Sequence, residues 1–563
     1  MPNKNIFTAV LVIILISISY LLPGMIGHDP WKQDEAYTFG MINHILKTGE
    51  WLVPTNAGNP FMEKPPLYIW LAAISTKIFS PWMALHDAAR LINIFLVSIT
   101  FIFAALTAKR FFKCQTLFDA PVLAVISLMA STFIVIKHVH DLFTDVALLM
   151  GTTIALMGII NIVKALEQNK IRTPNLLDIA FLGLGVGIAF MSKGVFIPLV
   201  FFLTIIVLPI IYNYCQSRSY LVALVLAFIW FLPFALIWPI LLFKYSPFLF
   251  MEWFWDNNIG RFIGFSVEKL GAENEPFFIL QSFLTSSFPI SILALIGLIL
   301  GSWKKWCDPF IAISIIFPVI GLSILSLSAT ARQLYLLPFA LPLSLLAADA
   351  IIKLPEKFAF YWDYVSRIMF IIAAIFIGYI WIMILQPIDK HASLHFLARW
   401  LPIDYVLPFQ LFKLIAAICL FLGYLFLLKI IPQYAKWRGA LSWFLGITLT
   451  WGLIFILLLP WLNQAKSYEP VFTDLSKNIN ALWGSDDCLA SIGLGESEAP
   501  MLEYFGGIVH KPISGGIQTH CRWLIVQSSQ SNIKHLGSNW RKIWFGARQG
   551  DHNELLTVYL KKH

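Results

Sequence analysis

Acidic and basic side chains stand directly beside apolar segments near the start of this chain. Asp34 and Glu35 follow an apolar run over 6–27, and Glu63 and Lys64 precede another run over 66–80. Carboxylates can act as general bases, and a lysine can bind an anion. An ionised group at membrane depth is costly, so it usually faces a cavity or an opposite charge and marks a functional site. These residues therefore predict a polar site at the edge of the apolar region.

The composition is that of an integral membrane protein. Of 563 residues, 58% are hydrophobic and 13% are charged, whereas soluble proteins carry about 25% charged residues. The mean hydropathy is +0.76. The net charge of +9 suits basic loops that set orientation and contact anionic lipid headgroups. We predict membrane lipids as partners, and no nucleic acid.

Apolar runs alternate with basic clusters along the chain. The runs lie near 6–27, 66–80, 87–108, 120–136, 142–163, 177–192, 194–212, 220–243, 283–302, 309–328, 334–352, 368–386, 407–428 and 440–462. The basic residues, which the positive-inside rule places in the cytoplasm, are Lys4, Lys109, Arg110, Lys113, Lys164, Lys170, Arg172, Arg218, Lys304, Lys305, Lys353, Lys357, Arg367, Lys429, Lys436 and Arg438. All of these basic residues lie on the same side of the membrane if the short run 66–80 is interfacial or re-entrant and does not cross. This predicts a mainly α, polytopic fold with about 13 transmembrane helices and a cytoplasmic N-terminus.

A change in composition near residue 463 divides the chain. Residues 1–462 form the predicted transmembrane domain, with outer loops over 28–86 and 244–282. Residues 463–563 contain strand-like CLASIGL, RWLIVQSS and ELLTVYLKK and helix-like SEAPMLEYFGG, which predicts a small α/β domain outside the membrane. Cys488 and Cys521 lie in this domain, and an oxidising periplasm would permit a disulfide between them, although spacing alone does not show that they are close.

The predicted topology also collects isolated polar residues of the apolar part on the non-cytoplasmic side. They are Asp34, Glu35, Glu63, Lys64, His138, His140, Asp141, Asp145, Lys193, Arg261, Arg332 and Tyr335. Because the topology rests on the cytoplasmic clusters alone, this convergence independently indicates one shared chamber.

Several motifs, in order, resemble those of bacterial polyprenyl-phosphate-sugar glycosyltransferases with the GT-C fold. The motifs are DEAY (34–37), GEW with a proline at 54, FMEKP (61–65), FTD (143–145), MSKG (191–194), IGRF (259–262) and the tyrosine of RQLYLLP at 335. Within that superfamily the chain resembles lipid A 4-amino-4-deoxy-L-arabinose transferases and, more broadly, protein O-mannosyltransferases. One departure is that Arg332 stands alone in ATARQLY, where the aminoarabinose transferases have a lysine-rich segment.

The resemblance implies inverting transfer of a sugar from undecaprenyl phosphate to lipid A or another envelope glycan, at the periplasmic face of the bacterial inner membrane. It implies Asp34, Glu35 and Asp145 as catalytic candidates, with Asp34 as the base on an acceptor hydroxyl. If the acceptor is a phosphate, Asp34 would instead orient the sugar. The substrate-binding candidates are Glu63, Lys64, Lys193, Arg261, Arg332 and Tyr335. No metal-binding residue or cofactor is implied, since the motifs are compatible with a divalent metal but do not require one.

The candidates also have structural explanations. Asp34 could cap a helix over 35–48, and Glu63 and Lys64 could form a weak surface pair. Lys193 could extend to the interface without a partner, and Tyr335 could belong to an aromatic belt.

Two further patterns invite a ligand-binding interpretation. His138 and His140 suggest a metal, but residues at i and i+2 face different sides of a helix, which favours interfacial packing. The sequence GLGVG (183–187) lies within an apolar span, which predicts helix packing and not a nucleotide loop.

Three other functions compete with transfer to a glycan. The acceptor could be a protein Ser or Thr hydroxyl. The protein could also be a flippase or transporter for a lipid-linked glycan, but transporters often contain inverted repeats, and no internal repeat is evident. A structural subunit would not require acids and bases that converge on one cavity, so an enzyme is favoured.

Overall fold

The structure is a computed structural model. It describes residues 2–168, 174–266, 275, 277–301, 307–386, 406–431, 436–513, 519–529, 536, 539–548, 551 and 553–562, with side chains from residue 11 onward. Lys170, Arg172, Lys304 and Lys305 of the predicted basic clusters lie outside the described residues, as does part of the predicted outer loop 244–282.

Helices dominate the described residues up to residue 466. The helices of the first half are α1 (Pro2–Leu21), α2 (Asp34–Thr48), α3 (Leu67–Phe79), α4 (Leu85–Arg90), α5 (Ile92–Phe111), α6 (Ala120–Ala130), α7 (Phe133–His138), α8 (Thr144–Gln168), α9 (Leu176–Lys193), α10 (Phe196–Ile211), α11 (Arg218–Tyr245), α12 (Pro247–Met251) and α13 (Arg261–Ile263). Those that follow are α14 (Phe278–Ser286), α15 (Ile290–Ile299), α16 (Pro309–Leu327), α17 (Ala340–Lys353), α18 (Glu356–Met383), α19 (Leu411–Ile430), α20 (Arg438–Leu453), α21 (Leu459–Lys466), α22 (Glu469–Asn480) and α23 (Glu498–Phe505). Short 3₁₀ segments cover Asn213–Gln216 and Gln333–Phe339, and π-helical segments cover Glu252–Gly260 and Ile454–Leu458.

Many of these helices can cross a bilayer. Within the described residues, nine helical segments are long and apolar enough to span, and a tenth is added if α14 and α15 count as one broken span. The predicted multi-pass, mainly helical fold is therefore confirmed, while the count of 13 spans stays a prediction. Helix α3 has 13 residues, about 20 Å at 1.5 Å per residue, which is shorter than a hydrocarbon core of about 30 Å. This length fits the predicted interfacial helix.

The apolar run 283–302 does not form the continuous span that the sequence predicted. Helices α14 and α15 are bent by 100° at the break between them. Pro289 lies in that break, where it has no backbone N–H to donate and its ring clashes with the preceding helical turn. The proline therefore interrupts a segment whose hydropathy alone indicates one helix.

Glycines allow the backbones of α8 and α9 to approach closely. A Cβ added at Gly185 would lie 2.6 Å from the carbonyl oxygen of Gly151, and one added at Gly158 would lie 2.5 Å from the backbone nitrogen of Leu182. Only glycine fits such contacts without a backbone shift. The prediction that GLGVG (183–187) is a helix-packing feature is confirmed.

The segment between α1 and α5 folds into a compact outer loop. Helix α2 ends at Gly49, whose left-handed conformation (φ 76°) lets its N–H donate to the Ile45 carbonyl. Strands β1 (Thr55–Asn56) and β2 (Asn59–Pro60) form a hairpin through Ala57 and Gly58. Both turn residues have positive φ, 47° and 81°, the requirement of a type I′ turn.

A buried ion pair fixes this loop to the helical domain. Glu35 is 4% exposed, and its carboxylate accepts from Nε of Arg90 at 2.9 Å. It also accepts from the backbone N–H groups of Trp31, at 3.1 Å, and Leu142, at 3.0 Å. The Arg90 guanidinium additionally donates to the carbonyl oxygen of His28 at 2.8 Å. One carboxylate thus joins α2 to α4, directly before α5, and to the chain before α8.

Residues after 466 form a small α/β unit. Its strands are β3 (Leu489–Ile492), β4 (His510–Pro512), β5 (Trp523–Ser528), β6 (Trp540–Gly546) and β7 (Leu555–Lys561). They form one sheet in the order β4-β3-β5-β7-β6, in which β3 is parallel to β4 and β5, and β7 is antiparallel to β5 and β6. The predicted strand segments correspond to β3, β5 and β7. Strands β4 and β6 were not predicted, because one is very short and the other mixes charged and apolar residues.

A disulfide closes one end of this unit. The sulfurs of Cys488 and Cys521 are bonded, and their Cα atoms are 4.9 Å apart. Cys488 directly precedes β3 and Cys521 lies two residues before β5. The paired strands therefore bring together two residues that are 33 positions apart in the chain.

We expect the substitution Arg90→Leu to lower the melting temperature strongly, because it leaves the Glu35 carboxylate buried without its partner, at a cost of about 3–5 kcal/mol. Lys47→Ala is the matched control, since it removes the exposed Lys47–Glu503 pair, and exposed pairs contribute about 0–1 kcal/mol. Thermal unfolding of the purified protein in detergent measures both. Equal shifts for the two variants would contradict the anchoring role.

The ion pair between Glu35 and Arg90 also makes the stability of the fold depend on pH. Burial by itself would raise the pKa of Glu35, but Arg90 and His28 hold that pKa below its usual value. The stabilisation is therefore complete above the usual pKa of about 4.3 and is lost as the pH falls through the lowered pKa of the folded state. We expect the melting temperature of Glu35→Gln to be lower at neutral pH and to vary less over this acidic range.

Candidate active site

A polar chamber lies where the outer loop meets the helical domain. The cavity is about 200 Å³ and its polar lining includes Glu63, Lys64, Lys193, Arg261 and Tyr335. These five residues come from four distant stretches of the chain. The structure thus brings together five of the six residues that the sequence suggested for substrate binding.

Asp34 lies beside this chamber as the first residue of α2. Its carboxylate accepts a hydrogen bond from the hydroxyl of Tyr37 and lies 3.5 Å from Nζ of Lys64. Nζ of Lys64 also donates to the Tyr37 hydroxyl at 2.7 Å. The N-cap of α2 is Gln33 and not Asp34, so the alternative of a capping role is wrong. Asp34, Tyr37 and Lys64 form one hydrogen-bonded group.

This group keeps Asp34 ionised. Burial by itself would raise the pKa of the Asp34 carboxyl, but Lys64 and the Tyr37 hydroxyl outweigh it and hold the pKa below its usual value. Burial would lower the pKa of Lys64, but the neighbouring Tyr37 and Glu63 raise it well above its usual value. The pair is therefore a carboxylate and an ammonium at neutral pH.

Glu63 and Arg261 form a second ion pair in the chamber wall. Burial would raise the pKa of Glu63, but Lys64 and Arg261 hold it below its usual value. Both side chains are less than one-fifth exposed. Glu63 and Lys64 thus bind different partners across the chamber and are not an exposed surface pair, contrary to the structural alternative.

Lys193 and Asp145 form a third ion pair. Asp145 is fully buried on the first turn of α8, and Nζ of Lys193 lies 4.2 Å from the ring centroid of Tyr335. Lys193 therefore has two partners and does not extend to the interface alone. The Tyr335 ring belongs to the chamber wall, while Asp145 positions Lys193 from behind it.

The turn after Lys193 requires glycine. Gly194 has φ 81°, and an added Cβ would overlap the side-chain amide of Asn258. The amide oxygen of Asn258 accepts from the backbone N–H of Val195 at 3.2 Å. This contact holds the end of α9 against the π-helical segment that precedes Arg261, so it positions both cations.

Glu35 does not reach the chamber, which corrects the expectation that it is catalytic. Its carboxylate is occupied by Arg90 and two backbone N–H groups. Adjacent residues on a helix point in different directions, so Asp34 contacts Lys64 at the edge of the chamber while Glu35 contacts Arg90 of α4. Glu35 is a structural residue.

Arg332 lines a second cavity, which Asp34 also lines. This cavity is about 420 Å³ and its polar lining consists of Asp34, Lys137, His138, Glu275, Arg332 and Gln333, with Phe143 among its apolar residues. Asp34 therefore lines this cavity and contacts the chamber through Lys64. Arg332 and Lys137 are exposed, and neither has an acidic side chain within ion-pair distance among the described residues.

The two histidines are not arranged as metal ligands. The ring nitrogens of His140 lie 2.9 and 2.8 Å from the carbonyl oxygens of Ile136 and Tyr20. The Nδ1 atom of His138 lies 3.6 Å from a carboxylate oxygen of Asp141. The prediction of a packing role holds for His140. Among the described residues, the group of potential ligands close enough to share an ion is Cys488, His520 and Cys521, and the disulfide occupies both of its sulfurs.

An apolar groove adjoins the chamber. It is about 560 Å³, lies between α9, α10 and α11, and is lined almost entirely by aliphatic and aromatic side chains. Val195 and Leu199 line both the groove and the chamber. A molecule with a polar head and a long apolar tail could occupy both at once.

Sequence reasoning missed four residues of this region. Tyr37 was visible one helical turn after Asp34 in DEAY, and Arg90 was an isolated charge at the start of the run 87–108. Lys137 was an isolated charge in an apolar segment, the signal that identified the other candidates. Asn258 had no signal, since it lies in a loop whose aromatic residues indicate membrane anchoring.

Comparisons with known proteins agree with this picture. Residues 63–238, which include Glu63, Lys64, Asp145 and Lys193, match the family model described as dolichyl-phosphate-mannose-protein mannosyltransferase. The chain is 25% identical over 344 residues to the undecaprenyl phosphate-alpha-4-amino-4-deoxy-L-arabinose arabinosyl transferase of Pseudomonas savastanoi pv. phaseolicola, covering 60% of each protein. The corresponding protein of Pseudomonas aeruginosa strain LESB58 is 24% identical over 347 residues, 62% of this chain and 60% of the relative.

Solved structures show the same fold. The crystal structure of ArnT from Cupriavidus metallidurans in the apo state superimposes with a TM-score of 0.66, at 12% identity, over 99% of this chain and 98% of that one. The structure of the same protein bound to undecaprenyl phosphate superimposes with a TM-score of 0.64, over 98% of this chain and 97% of that one. The resemblance inferred from the motifs is thereby confirmed: this chain is a multi-pass membrane protein with the GT-C fold of ArnT, and its sequence resembles the polyprenyl-phosphate-sugar transferases.

Proposed function

We propose that the protein is an integral membrane glycosyltransferase. It moves a sugar from undecaprenyl phosphate to a cell-envelope acceptor, with inversion, at the periplasmic face of the inner membrane. The observation that carries this proposal is the chamber itself, where three cations and a carboxylate meet beside an apolar groove. The relatives, of which the chain covers about 60%, are named for transfer of 4-amino-4-deoxy-L-arabinose, and we propose the same or a related sugar here.

The groove and the chamber suit the two halves of the donor. The polyprenyl tail would lie in the apolar groove between α9, α10 and α11, and the phosphate would enter the chamber past Val195 and Leu199. Arg261, Lys64 and Lys193 then surround the phosphate. These cations are already held by carboxylates, so they need little reorganisation as charge develops.

The reaction follows from these positions. An acceptor oxygen attacks the anomeric carbon as the bond from that carbon to the phosphate oxygen breaks, and the electron pair leaves with undecaprenyl phosphate. The three cations stabilise the negative charge on the departing phosphate. When the acceptor is a hydroxyl, its proton passes to the Asp34 carboxylate. When it is a phosphate, Asp34 orients the sugar and stabilises positive charge at the anomeric carbon.

The second cavity supports an anionic acceptor. Lys137 and Arg332 line it together with Asp34 and Glu275, and neither cation has an acidic partner within ion-pair distance in the described part of the chain. A glycolipid phosphate such as that of lipid A carries the complementary charge. This favours lipid A over a protein hydroxyl as the acceptor.

Asp34→Asn tests the catalytic assignment. We expect it to reduce transfer from radiolabelled undecaprenyl-phosphate sugar by about 10²–10⁴-fold, the usual contribution of a general base. The melting temperature should fall, because Lys64 loses its charged partner, but the variant should still unfold in a cooperative transition above the assay temperature. Glu50→Gln is the control, because Glu50 is an exposed acid of the same outer loop. Transfer by Asp34→Asn at the wild-type rate would refute the role of Asp34.

The acceptor can be identified in cells. We expect lipid A from cells that express the gene to contain a species heavier by one sugar, and this species to be absent when the gene is deleted or carries Asp34→Asn. Mass spectrometry of extracted lipid A measures the difference. Identical spectra from all three strains would exclude lipid A and direct the search to other glycans and to proteins.

The proposed orientation is also testable. We expect alkaline phosphatase fused after residue 563 to be active, since the enzyme folds only outside the cytoplasm, and a fusion after Lys113 to be inactive. Activity at Lys113 and none at the C-terminus would invert the proposed topology.

A further inference from the structure

The C-terminal sheet has an edge of the kind that binds ligands. Strand β3 lies between β4 and β5 and is parallel to both. The chain leaves β3 through the loop 493–497, returns through α23 to β4 on one side, and later enters β5 on the other. The strands that follow β3 and β5 in the chain therefore lie on opposite sides of this pair. In open α/β sheets, ligands bind at the carboxyl ends of two strands arranged in this way, which is called a topological switch point.

This edge faces the catalytic loop of the membrane domain. The side-chain amide of Asn56 donates to the backbone carbonyl of Glu496 at 2.9 Å. The hydroxyl of Ser497 donates to the carbonyl of Gln33 at 3.3 Å, one residue before Asp34.

The loop is held equally from the sheet side. The side-chain oxygen of Gln527, in β5, accepts from the N–H of Gly495 at 2.8 Å. Pro500, near the start of α23, also lies against Gly40 of α2. The loop 493–497 is therefore fixed on both sides, between the sheet and α2.

Glu496 is the acidic residue of this loop, and its carboxylate lacks a partner. The side chain is exposed and makes no hydrogen bond or ion pair with any residue that the structure describes. Asp34, Glu63 and Asp145 are by contrast each paired with a cation.

The chamber charges act directly on this carboxylate. Partial burial and the Glu63 carboxylate raise the pKa of Glu496, while Arg261 and Lys64 act in the opposite direction. Glu496 thus lies within electrostatic reach of the chamber from a different domain.

We propose that Glu496 is a specificity-determining residue, contributed by the C-terminal domain, whose carboxylate binds a hydroxyl or ammonium group of a substrate sugar. The inference rests on the proposed function. A carboxylate repels phosphate, which the cations Lys64 and Arg261 are placed to hold. A free carboxylate on a loop that contacts Asn56 and Gln33, next to Asp34, therefore suits the neutral or cationic part of a substrate, and hydrogen bonds to a charged group are among the stronger ones. The sugar could belong to the donor or to the acceptor.

Steady-state kinetics of the purified full-length protein tests the inference. We expect Glu496→Gln to raise the KM for one sugar-bearing substrate by about tenfold, as expected for one lost charge-assisted hydrogen bond, with a wild-type melting temperature. Separate titrations with undecaprenyl-phosphate 4-amino-4-deoxy-L-arabinose and with lipid A assign the sugar to the donor or to the acceptor. Asp486→Asn, an exposed acid of the same domain, is the matched control and should leave both KM values unchanged.

A sugar-free probe distinguishes recognition from a general effect on the fold. Undecaprenyl phosphate should inhibit the wild type and Glu496→Gln equally, because it has no sugar for Glu496 to bind. Unchanged KM values for both substrates, or weaker inhibition by undecaprenyl phosphate, would overturn the inference while the proposed function stands.

The two proposals can fail separately. If the wild type does not transfer the sugar, the proposed function fails. Binding measurements by tryptophan fluorescence then test the inference directly. They compare the affinities of the wild type and Glu496→Gln for undecaprenyl-phosphate 4-amino-4-deoxy-L-arabinose and for undecaprenyl phosphate. Only a loss confined to the sugar-bearing lipid supports it.

Discussion

The need to pair buried charges organises this protein. An ionised side chain withdrawn from water is strongly destabilising unless an opposite charge and hydrogen bonds accompany it. Here each buried acid near the chamber obtains its partner from another part of the chain. The pairs are Asp34 with Lys64, Glu63 with Arg261, Asp145 with Lys193, and Glu35 with Arg90. Pairing therefore draws the outer loop, α8, the end of α9 and α13 to one place.

The same pairing prepares the chamber for an anionic ligand. Lys64, Lys193 and Arg261 are each oriented by a carboxylate before any substrate binds, so the cost of ordering long, flexible side chains is met during folding. Asp145 has no exposed surface and acts only through Lys193. Asp34 differs, since it lines the second cavity and contacts the chamber through Lys64. Stability and the proposed substrate binding thus depend on the same contacts.

The C-terminal unit is part of this arrangement and not an independent appendage. Its loop 493–497 hydrogen-bonds to the outer loop through Asn56 and Gln33, and the Cys488–Cys521 disulfide joins the starts of two adjacent strands in the same sheet. The loop that carries Glu496 is therefore supported by a covalently closed sheet. Under the role proposed for Glu496, a substrate would contact both parts of the chain.

Local features of the sequence determined the membrane class, the positions of most helices and the set of candidate residues. Apolar runs of sufficient length predict helices without knowledge of their neighbours, and an isolated charge in such a run indicates a site wherever the helix lies. Five of the six residues suggested for binding line one chamber in the structure, and their role stays a prediction. Three of the five described C-terminal strands were also predicted from local pattern.

Only the tertiary structure decided where each side chain points and what it contacts. Asp34 and Glu35 are adjacent and chemically similar, but the helix directs one to Lys64 and the other to Arg90. Arg332 lines a different cavity from the other cations, and Pro289 breaks a run that hydropathy alone predicts as one span. Orientation and partner choice depend on which distant element packs opposite a residue, and that information is not contained in any short stretch of the chain.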